Sequence, residues 1–131
     1  MLIGELAQTS GTTTKTLRFY EDVGLLPTPE RTANGYRYYD SSADTLARID
    51  FIRRGQAAGL TLAQIRQVLE IRDQGIPPCQ HVSDLLDDRL ADLKQQIADL
   101  QGLRDTVREL RDRADAISPE TCDPTAICQY L

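Results

Sequence analysis

The sequence predicts a mainly helical protein in which two short helices and a β-hairpin precede one long helix. Three observations support this fold class. Glycines and prolines divide the first part of the chain into short segments with helical apolar spacing. An Asn34-Gly35 pair flanked by arginines and tyrosines indicates the hairpin. From Leu86 to Ile117, apolar residues recur at intervals of three and four, which is typical of a coiled coil.

The first segment predicts two short helices joined by a glycine-containing turn. Ser10-Gly11 ends the first helix, because glycine tolerates the left-handed turn between helices. Thr12 or Thr13 can then cap the second helix. Lys15 and Arg18 are three residues apart and project from one outer stripe of that helix. Two such helices with cations on the second indicate a helix-turn-helix.

Residues 27–39 predict a β-hairpin with a tight turn at Asn34-Gly35. On its second strand, Tyr39 points opposite to Tyr38, so we expect Tyr39 to pack inward.

Two further helices follow the hairpin. Asp40 or Ser41 is expected to begin the first, which ends near Gly59. Thr61 and Gln64 have the spacing of a capping box and are expected to open the second.

A long helix is predicted over residues 82–117. Pro77-Pro78 prevents continuation of the preceding helix and indicates a stiff hinge. The apolar seam has one phase slip, between Leu100 and Leu103, and the outer face is polar and acidic. A single copy would expose this seam to water, so a homodimer is the simplest partner. Residues 1–75 are therefore predicted to form a helix-turn-helix, the β-hairpin, called the wing below, and the two helices that follow it. A hinge with the first cysteine (76–81), a dimerisation helix (82–117) and a cysteine-bearing tail (118–131) complete the chain.

Composition narrows the class of protein. The net charge is −5, but residues 1–75 balance 9 Lys and Arg against 9 Asp and Glu, so the acidity belongs to the C-terminal part. No apolar run approaches the roughly 18–20 residues of a membrane span, and no leader signal is apparent, so we expect a cytoplasmic protein that does not contact membranes. One histidine and no nucleophile–base pair offer no catalytic chemistry, so an enzyme is not expected.

Several segments together resemble the MerR family of bacterial transcription regulators. They are Ile3-Gly-Glu-Leu-Ala7, Thr16-Leu-Arg-Phe-Tyr-Glu21, Gly24-Leu-Leu-Pro27, Arg31 and Asn34-Gly-Tyr-Arg-Tyr38. The resemblance covers nearly the whole chain and implies a mainly α fold, a winged helix-turn-helix followed by a long antiparallel coiled-coil dimerisation helix. It also implies a homodimer that binds a palindromic promoter together with RNA polymerase. Inducer binding would then distort the DNA and activate transcription.

This resemblance assigns the DNA-facing residues. The second helix of a helix-turn-helix enters the major groove, with its early residues facing base edges. Thr13, Thr14 and Lys15 occupy that position, and Lys15 suits guanine acceptors. The residues expected to contact phosphates, from the helix and the wing, are Arg18, Tyr20, Tyr36, Arg37 and Tyr38.

The cysteines resemble those of the heavy-metal-sensing branch of the family. Cys79 precedes the long helix, and Cys122 and Cys128 follow it, so the resemblance implies a three-thiolate site shared between subunits. Most relatives carry the first tail cysteine closer to the helix, whereas residues 111–117 contain none here. A cysteine at position 79 resembles sensors of divalent ions. The candidate ions are Hg(II), Cd(II), Pb(II) and Zn(II). Three thiolates can satisfy Hg(II) or Pb(II), while Zn(II) prefers four ligands, and His81 is a further candidate ligand.

Other interpretations of the cysteines remain open at this point. An odd number of cysteines argues against a disulfide framework, but reduced thiols also serve as core residues or redox sensors. A regulator of the same fold that senses oxidants or thiol-reactive compounds through these residues is the main alternative. A zinc-stabilised dimerisation module would leave the basic helix and wing unexplained. An iron–sulfur sensor would need four clustered cysteines, and a drug sensor would need a larger C-terminal domain.

Overall fold

The computed structural model describes residues 1–31, 33–39 and 43–131, apart from the side chain of Arg37. The described elements are, in order, α1 (Ile3–Ser10), α2 (Thr14–Asp22), β1 (Glu30–Arg31), β2 (Arg37–Tyr38), α3 (Ala43–Ala57), α4 (Leu62–Asp73), α5 (Cys79–Ala116) and a 3-10 helix (Pro119–Thr121). They form two compact units, Met1–Leu86 and Asp87–Leu131. The predicted fold class, mainly helical with a long C-terminal helix, is confirmed. No helix in the described ranges has both the length and the low polarity needed to cross a membrane.

The turn between α1 and α2 is built by the predicted glycine and threonine. Gly11 ends α1 with a φ of 72°, in the left-handed region that glycine adopts without strain. Thr13 caps α2, and its side chain accepts a hydrogen bond from the backbone N–H of Thr16 at 3.1 Å. These local choices fix where the second helix starts and which residues form its first turn.

The hairpin is present, but its connection differs from the predicted tight turn. Strand pairing places Glu30 opposite Tyr38 and Arg31 opposite Arg37, so the last paired residues are six positions apart in the sequence. A two-residue Asn-Gly turn needs positive φ at both residues. Among the described residues only glycines have positive φ, so Gly35 at 80° has it and Asn34 does not.

The second strand is tied to the N-terminus. The backbone N–H of Tyr39 donates to the carbonyl oxygen of Met1 at 2.7 Å. The Tyr39 ring is 3% exposed, and its hydroxyl donates to Glu21 Oε2 at 2.7 Å. The predicted inward packing of Tyr39 is confirmed, and the wing is thereby attached to α1 and α2.

Helices α3 and α4 complete the core of the N-terminal unit. The predicted start of α3 at Asp40 or Ser41 lies outside the described residues. The capping box is confirmed: Gln64 N donates to Thr61 Oγ1 at 3.1 Å, and Thr61 N donates to Gln64 Oε1 at 2.9 Å. The fully buried side chains come from four helices and the α2–β1 loop, and are Leu6, Leu17, Leu25, Ile49, Ile52, Ile65 and Val68.

Helix α5 begins at Cys79, three residues earlier than predicted from the sequence. The backbone N–H of Val82 donates to the carbonyl oxygen of Pro78 at 2.9 Å. Proline is compatible with a helix start, because its fixed φ suits the helix and its missing N–H is not needed there. Cys79, predicted to lie in the hinge, is instead the first residue of the helix.

The apolar seam of α5 is exposed within one chain. No residue of α5 is buried. The exposed seam residues are Leu86, Leu90, Leu93, Ile97, Leu100, Leu103 and Val107, whose side chains are 36–65% accessible. Helices of soluble proteins bury such stripes against another element.

Candidate nucleic-acid interface and metal centre

The first turn of α2 presents the residues predicted to face base edges. Thr13 and Lys15 are exposed, and Thr14 is partly exposed. The Thr13 hydroxyl also donates to Thr16 Oγ1 at 2.9 Å, so it takes part in the cap. Lys15 projects from this turn, and Arg18 is exposed one turn later. The helix therefore offers two cations on one accessible stripe.

The wing adds aromatic and basic groups. Tyr36 is 65% exposed and Tyr38 is 52% exposed. The side chain of Arg37 lies outside the described residues, but its backbone pairs with Arg31. Arg31 is exposed and was not among the predicted DNA contacts. The strand register places Arg31 directly opposite Arg37. Knowledge of that register would have marked Arg31 as a further candidate DNA contact.

The structure corrects the placement of Tyr20. Its side chain is 2% exposed, and its hydroxyl donates to Gln56 Oε1 at 2.7 Å. Burial raises the pKa of the Tyr20 hydroxyl, and the charge of nearby Arg53 partly offsets this. Tyr20 was predicted to contact phosphate, but the ring packs in the core because it shares the inner face of α2 with Leu17.

Arg53 is a basic residue near this surface that sequence reasoning missed. Its Nη1 donates to the carbonyl oxygen of Ser10 at 2.9 Å, next to the turn between α1 and α2. The side chain thus brings a positive charge to the helix-turn-helix from α3. The contact joins residues 43 positions apart, so no local pattern could have indicated it.

Cys79 is exposed at the N-terminus of α5. Backbone N–H groups at a helix start have no partners within the helix, and the helix dipole there favours negative charge. This position therefore suits a thiolate–metal site. Pro77-Pro78 lies immediately before it, so a ligand held by Cys79 would act next to the hinge.

The tail brings Cys122 and Cys128 into common surroundings. Gln129 Nε2 donates to Cys122 Sγ at 3.2 Å, and the Tyr130 hydroxyl donates to the carbonyl oxygen of Ile117 at 2.9 Å. Burial raises the pKa of Tyr130, and both Cys122 and Cys128 raise it further. The hydrogen bond from Tyr130 to Ile117 folds the tail back on the end of α5.

His81 does not share a helix face with Cys79. Residues two apart point in different directions on a helix, whereas His81 and Leu85 are four apart and share a side. Leu85 packs against the core of the N-terminal unit. His81 is partly buried, and its Nε2 is buried without a hydrogen-bond partner in the part of the chain that is described. A buried nitrogen without a partner costs free energy, so packing alone does not explain this nitrogen, and the role of His81 as a fourth ligand stays a prediction.

One chain does not assemble the predicted metal centre. Across residues 1–31, 33–39 and 43–131, no group of three His, Cys, Asp or Glu side chains could hold a metal ion. Cys79 is the first residue of α5, and Cys122 and Cys128 both follow its last residue, Ala116.

Comparisons with known proteins give a consistent result. A family model described as MerR family regulatory protein matches residues 2–39, and one described as MerR, DNA binding, matches residues 46–110. A mercuric resistance operon regulatory protein of Bacillus cereus is 38% identical over 111 residues, covering 85% of this chain and 83% of the relative. The HTH-type transcriptional regulator ZntR of Escherichia coli K12 is 35% identical, with 84% and 77% coverage. Among solved structures, the crystal structure of PbrR691 from Ralstonia metallidurans CH34 in complex with lead(II) has a TM-score of 0.78 and 38% sequence identity. The match covers 93% of this chain and 94% of PbrR691.

Proposed function

The chain belongs to the MerR family of transcription regulators, which bind DNA and are not enzymes, and on this premise we propose that it is a metal-responsive regulator. In this proposal a homodimer binds a palindromic promoter with RNA polymerase. A divalent heavy-metal ion binds Cys79 of one subunit and Cys122 and Cys128 of the other. The ion then changes the angle between the two DNA-binding parts, and the distorted promoter becomes active.

The exposed cations of α2 and the wing support the DNA-binding role. Lys15 lies at the start of the helix that would enter the major groove, where a lysine can reach guanine acceptors. Arg18, Tyr36, Arg37 and Tyr38 would contact phosphates and fix the register of the protein on DNA. Together these groups compensate for a net charge that is otherwise unfavourable for DNA binding.

The exposed seam of α5 supports the homodimer. Full burial of one Leu or Val side chain stabilises a protein by about 1.5–3 kcal/mol. Seven large apolar side chains of this seam are exposed in the single chain. A second copy that covers them converts this unfavourable exposure into dimer stability, which makes the dimer the expected form in solution.

The separation of the thiols is the single observation that carries the metal proposal. Cys79 lies at one end of α5 and the other two thiols follow its far end, so an antiparallel pair would place thiols of both chains at each end. Three thiolates form a soft, negatively charged site that suits Hg(II), Pb(II) or Cd(II), and Zn(II) would need a fourth ligand. The names of the B. cereus relative and of the lead(II) complex agree with this class of ion.

Sensing of oxidants or thiol-reactive compounds is the second candidate function. Its support is the tail itself, because Cys128 is exposed and lies only six residues after Cys122. Oxidation would join the two tail thiols and would not need Cys79. The two functions therefore differ in their dependence on Cys79.

Metal titration and transcription assays test the proposal together. The reduced protein is titrated with Hg(II), Pb(II), Cd(II) and Zn(II) in the presence of a competing thiol, and promoter activity is measured with and without each ion. We expect tight binding and induction in the wild type and loss of both in Cys79→Ser, with promoter binding retained. Ser83→Ala, an exposed change one turn later in α5, is the control. Induction by an oxidant that persists in Cys79→Ser would instead favour the redox function.

A further inference from the structure

The tip of the wing holds an asparagine that is followed directly by a glycine. Asn34 is the one asparagine in the sequence. Both Asn34 and Gly35 are exposed. The last paired residues of the hairpin are Arg31 and Arg37, so Asn34 and Gly35 lie outside the strand pairing. The amide side chain and the peptide bond that follows it are therefore open to water.

The backbone requires glycine at position 35 but does not require asparagine at position 34. Gly35 has a φ of 80°, in the left-handed region where a residue with a Cβ is strained. Among the described residues only glycines have a positive φ, so Asn34 does not. A Cβ built on Gly35 would meet no atom within 4 Å in the described part of the chain. The Asn34 amide thus has a neighbour that offers it no steric protection.

We propose that Asn34 is a site of spontaneous deamidation, and that this modification weakens the binding of the wing to DNA. The backbone nitrogen of Gly35 loses its proton to water and attacks Cγ of Asn34. The new N–Cγ bond closes a succinimide ring, the Cγ–Nδ2 bond breaks, and the amide nitrogen leaves as ammonia. Water then opens the ring at either carbonyl carbon and gives aspartate or isoaspartate. The reaction exchanges ammonia for water and needs no further reactant.

The product carries a negative charge at the tip of the wing, where the intact amide has none. Tyr36 and Arg37, the wing residues proposed to contact phosphates, follow closely after Asn34, and Tyr36 is 65% exposed. A carboxylate there repels the phosphates and lowers the affinity for any DNA sequence. Isoaspartate also lengthens the main chain by a methylene group between β1 and β2. The chemistry is independent of DNA, whereas its effect on binding rests on the proposed contacts of the wing.

Mass spectrometry of the intact chain tests the chemistry. The wild type is kept in mildly alkaline buffer, and samples are taken over time. We expect the mass to change by the difference between water and ammonia, at one site per chain. Asn34→Gln is the matched control, because a glutamine side chain must close a larger ring and reacts far more slowly. A wild type that does not change in mass, or an equal change in Asn34→Gln, overturns the proposal.

Fluorescence anisotropy on promoter DNA tests the consequence. Asn34→Asp carries the charge of the product and should bind about threefold more weakly, or worse, at low salt, which is the effect of unit charges roughly 6 Å apart in water. The aged wild type should lose affinity in step with its change in mass. Gln67→Glu, which adds the same charge at an exposed position of α4, should bind like the fresh wild type.

Two outcomes of the binding experiment contradict the proposal. They are an affinity of Asn34→Asp equal to that of the wild type, and an equal loss in Gln67→Glu. Failure of the proposed function has a different signature, since the fresh wild type would then not bind the promoter, while the change in mass would still report the chemistry at Asn34.

Discussion

Lys15 and Arg18 differ in what they are expected to contribute to DNA binding. Lys15→Ala should weaken binding to the specific promoter by about 1–3 kcal/mol and relax the base preference at one position. Arg18→Ala should weaken binding to all DNA sequences. It should also make the plot of the logarithm of the binding constant against the logarithm of the salt concentration less steep, by about 0.9. Fluorescence anisotropy over a salt series on specific and scrambled DNA measures both effects.

Lys94→Ala is the control for this pair, because Lys94 is an exposed lysine on α5 that belongs to the other compact unit. A loss of affinity in Lys94→Ala equal to that in Lys15→Ala would show that total charge, and not the α2 surface, governs binding.

Tyr20 is the residue at which packing and DNA contact make opposite predictions. Tyr20 is 2% exposed, and its hydroxyl donates a hydrogen bond to Gln56. Tyr20→Phe should therefore reduce the free energy of unfolding by about 1 kcal/mol, which is typical of one lost hydrogen bond, and leave DNA affinity unchanged. Thermal unfolding and anisotropy measure the two quantities. If Tyr20→Phe instead weakened DNA binding without changing stability, that result would support a contact between Tyr20 and a DNA phosphate.

At the scale of elements, an ion pair joins α3 and α4. The hydrogen bond from Arg72 to Asp44, with the arginine charge, holds the pKa of Asp44 below its ordinary value. A lowered pKa in the folded state contributes stability above the unfolded pKa of about 3.9, and this contribution disappears as the pH falls through the folded pKa. The effect is small, because both side chains are about half exposed.

The prediction for this pair is a pH-dependent difference between variants. In urea unfolding, the wild type should be more stable than Asp44→Asn at pH 7, and the difference should shrink below about pH 4. Asp22→Asn, an exposed change in α2, is the control. A difference that stays constant down to pH 2 would show that the Asp44 carboxylate is not the titrating group.

The elements also show how far sequence reasoning reaches. The caps at Thr13 and Thr61 were predicted because their partners lie three residues away. The packing of Tyr20 on Gln56 depends on residues 36 positions apart, so a local pattern could not reveal it. The start of α5 at Cys79 was missed because Pro77-Pro78 was treated only as a helix breaker. Proline also suits a helix start, and the Pro78–Val82 hydrogen bond depends on the conformation of the hinge.

At the scale of the whole molecule, the proposed metal site is a property of the proposed dimer. The sequence indicates which three cysteines are ligands only through resemblance to a family. The structure adds that no group of three His, Cys, Asp or Glu side chains in the described residues could hold a metal ion. In the proposed dimer, each site therefore combines Cys79 of one subunit with the tail of the other.

Complementation between two defective chains tests this requirement most directly. One chain carries Cys79→Ser, the other carries Cys122→Ser and Cys128→Ser, and different affinity tags allow purification of the heterodimer. Each homodimer lacks part of both sites. The heterodimer retains one complete site, formed by Cys79 of the second chain and the tail of the first. We expect Hg(II) or Pb(II), titrated against a competing thiol, to bind the heterodimer at about one ion per dimer and neither homodimer tightly. A heterodimer that binds no better than the homodimers would contradict a site shared between subunits.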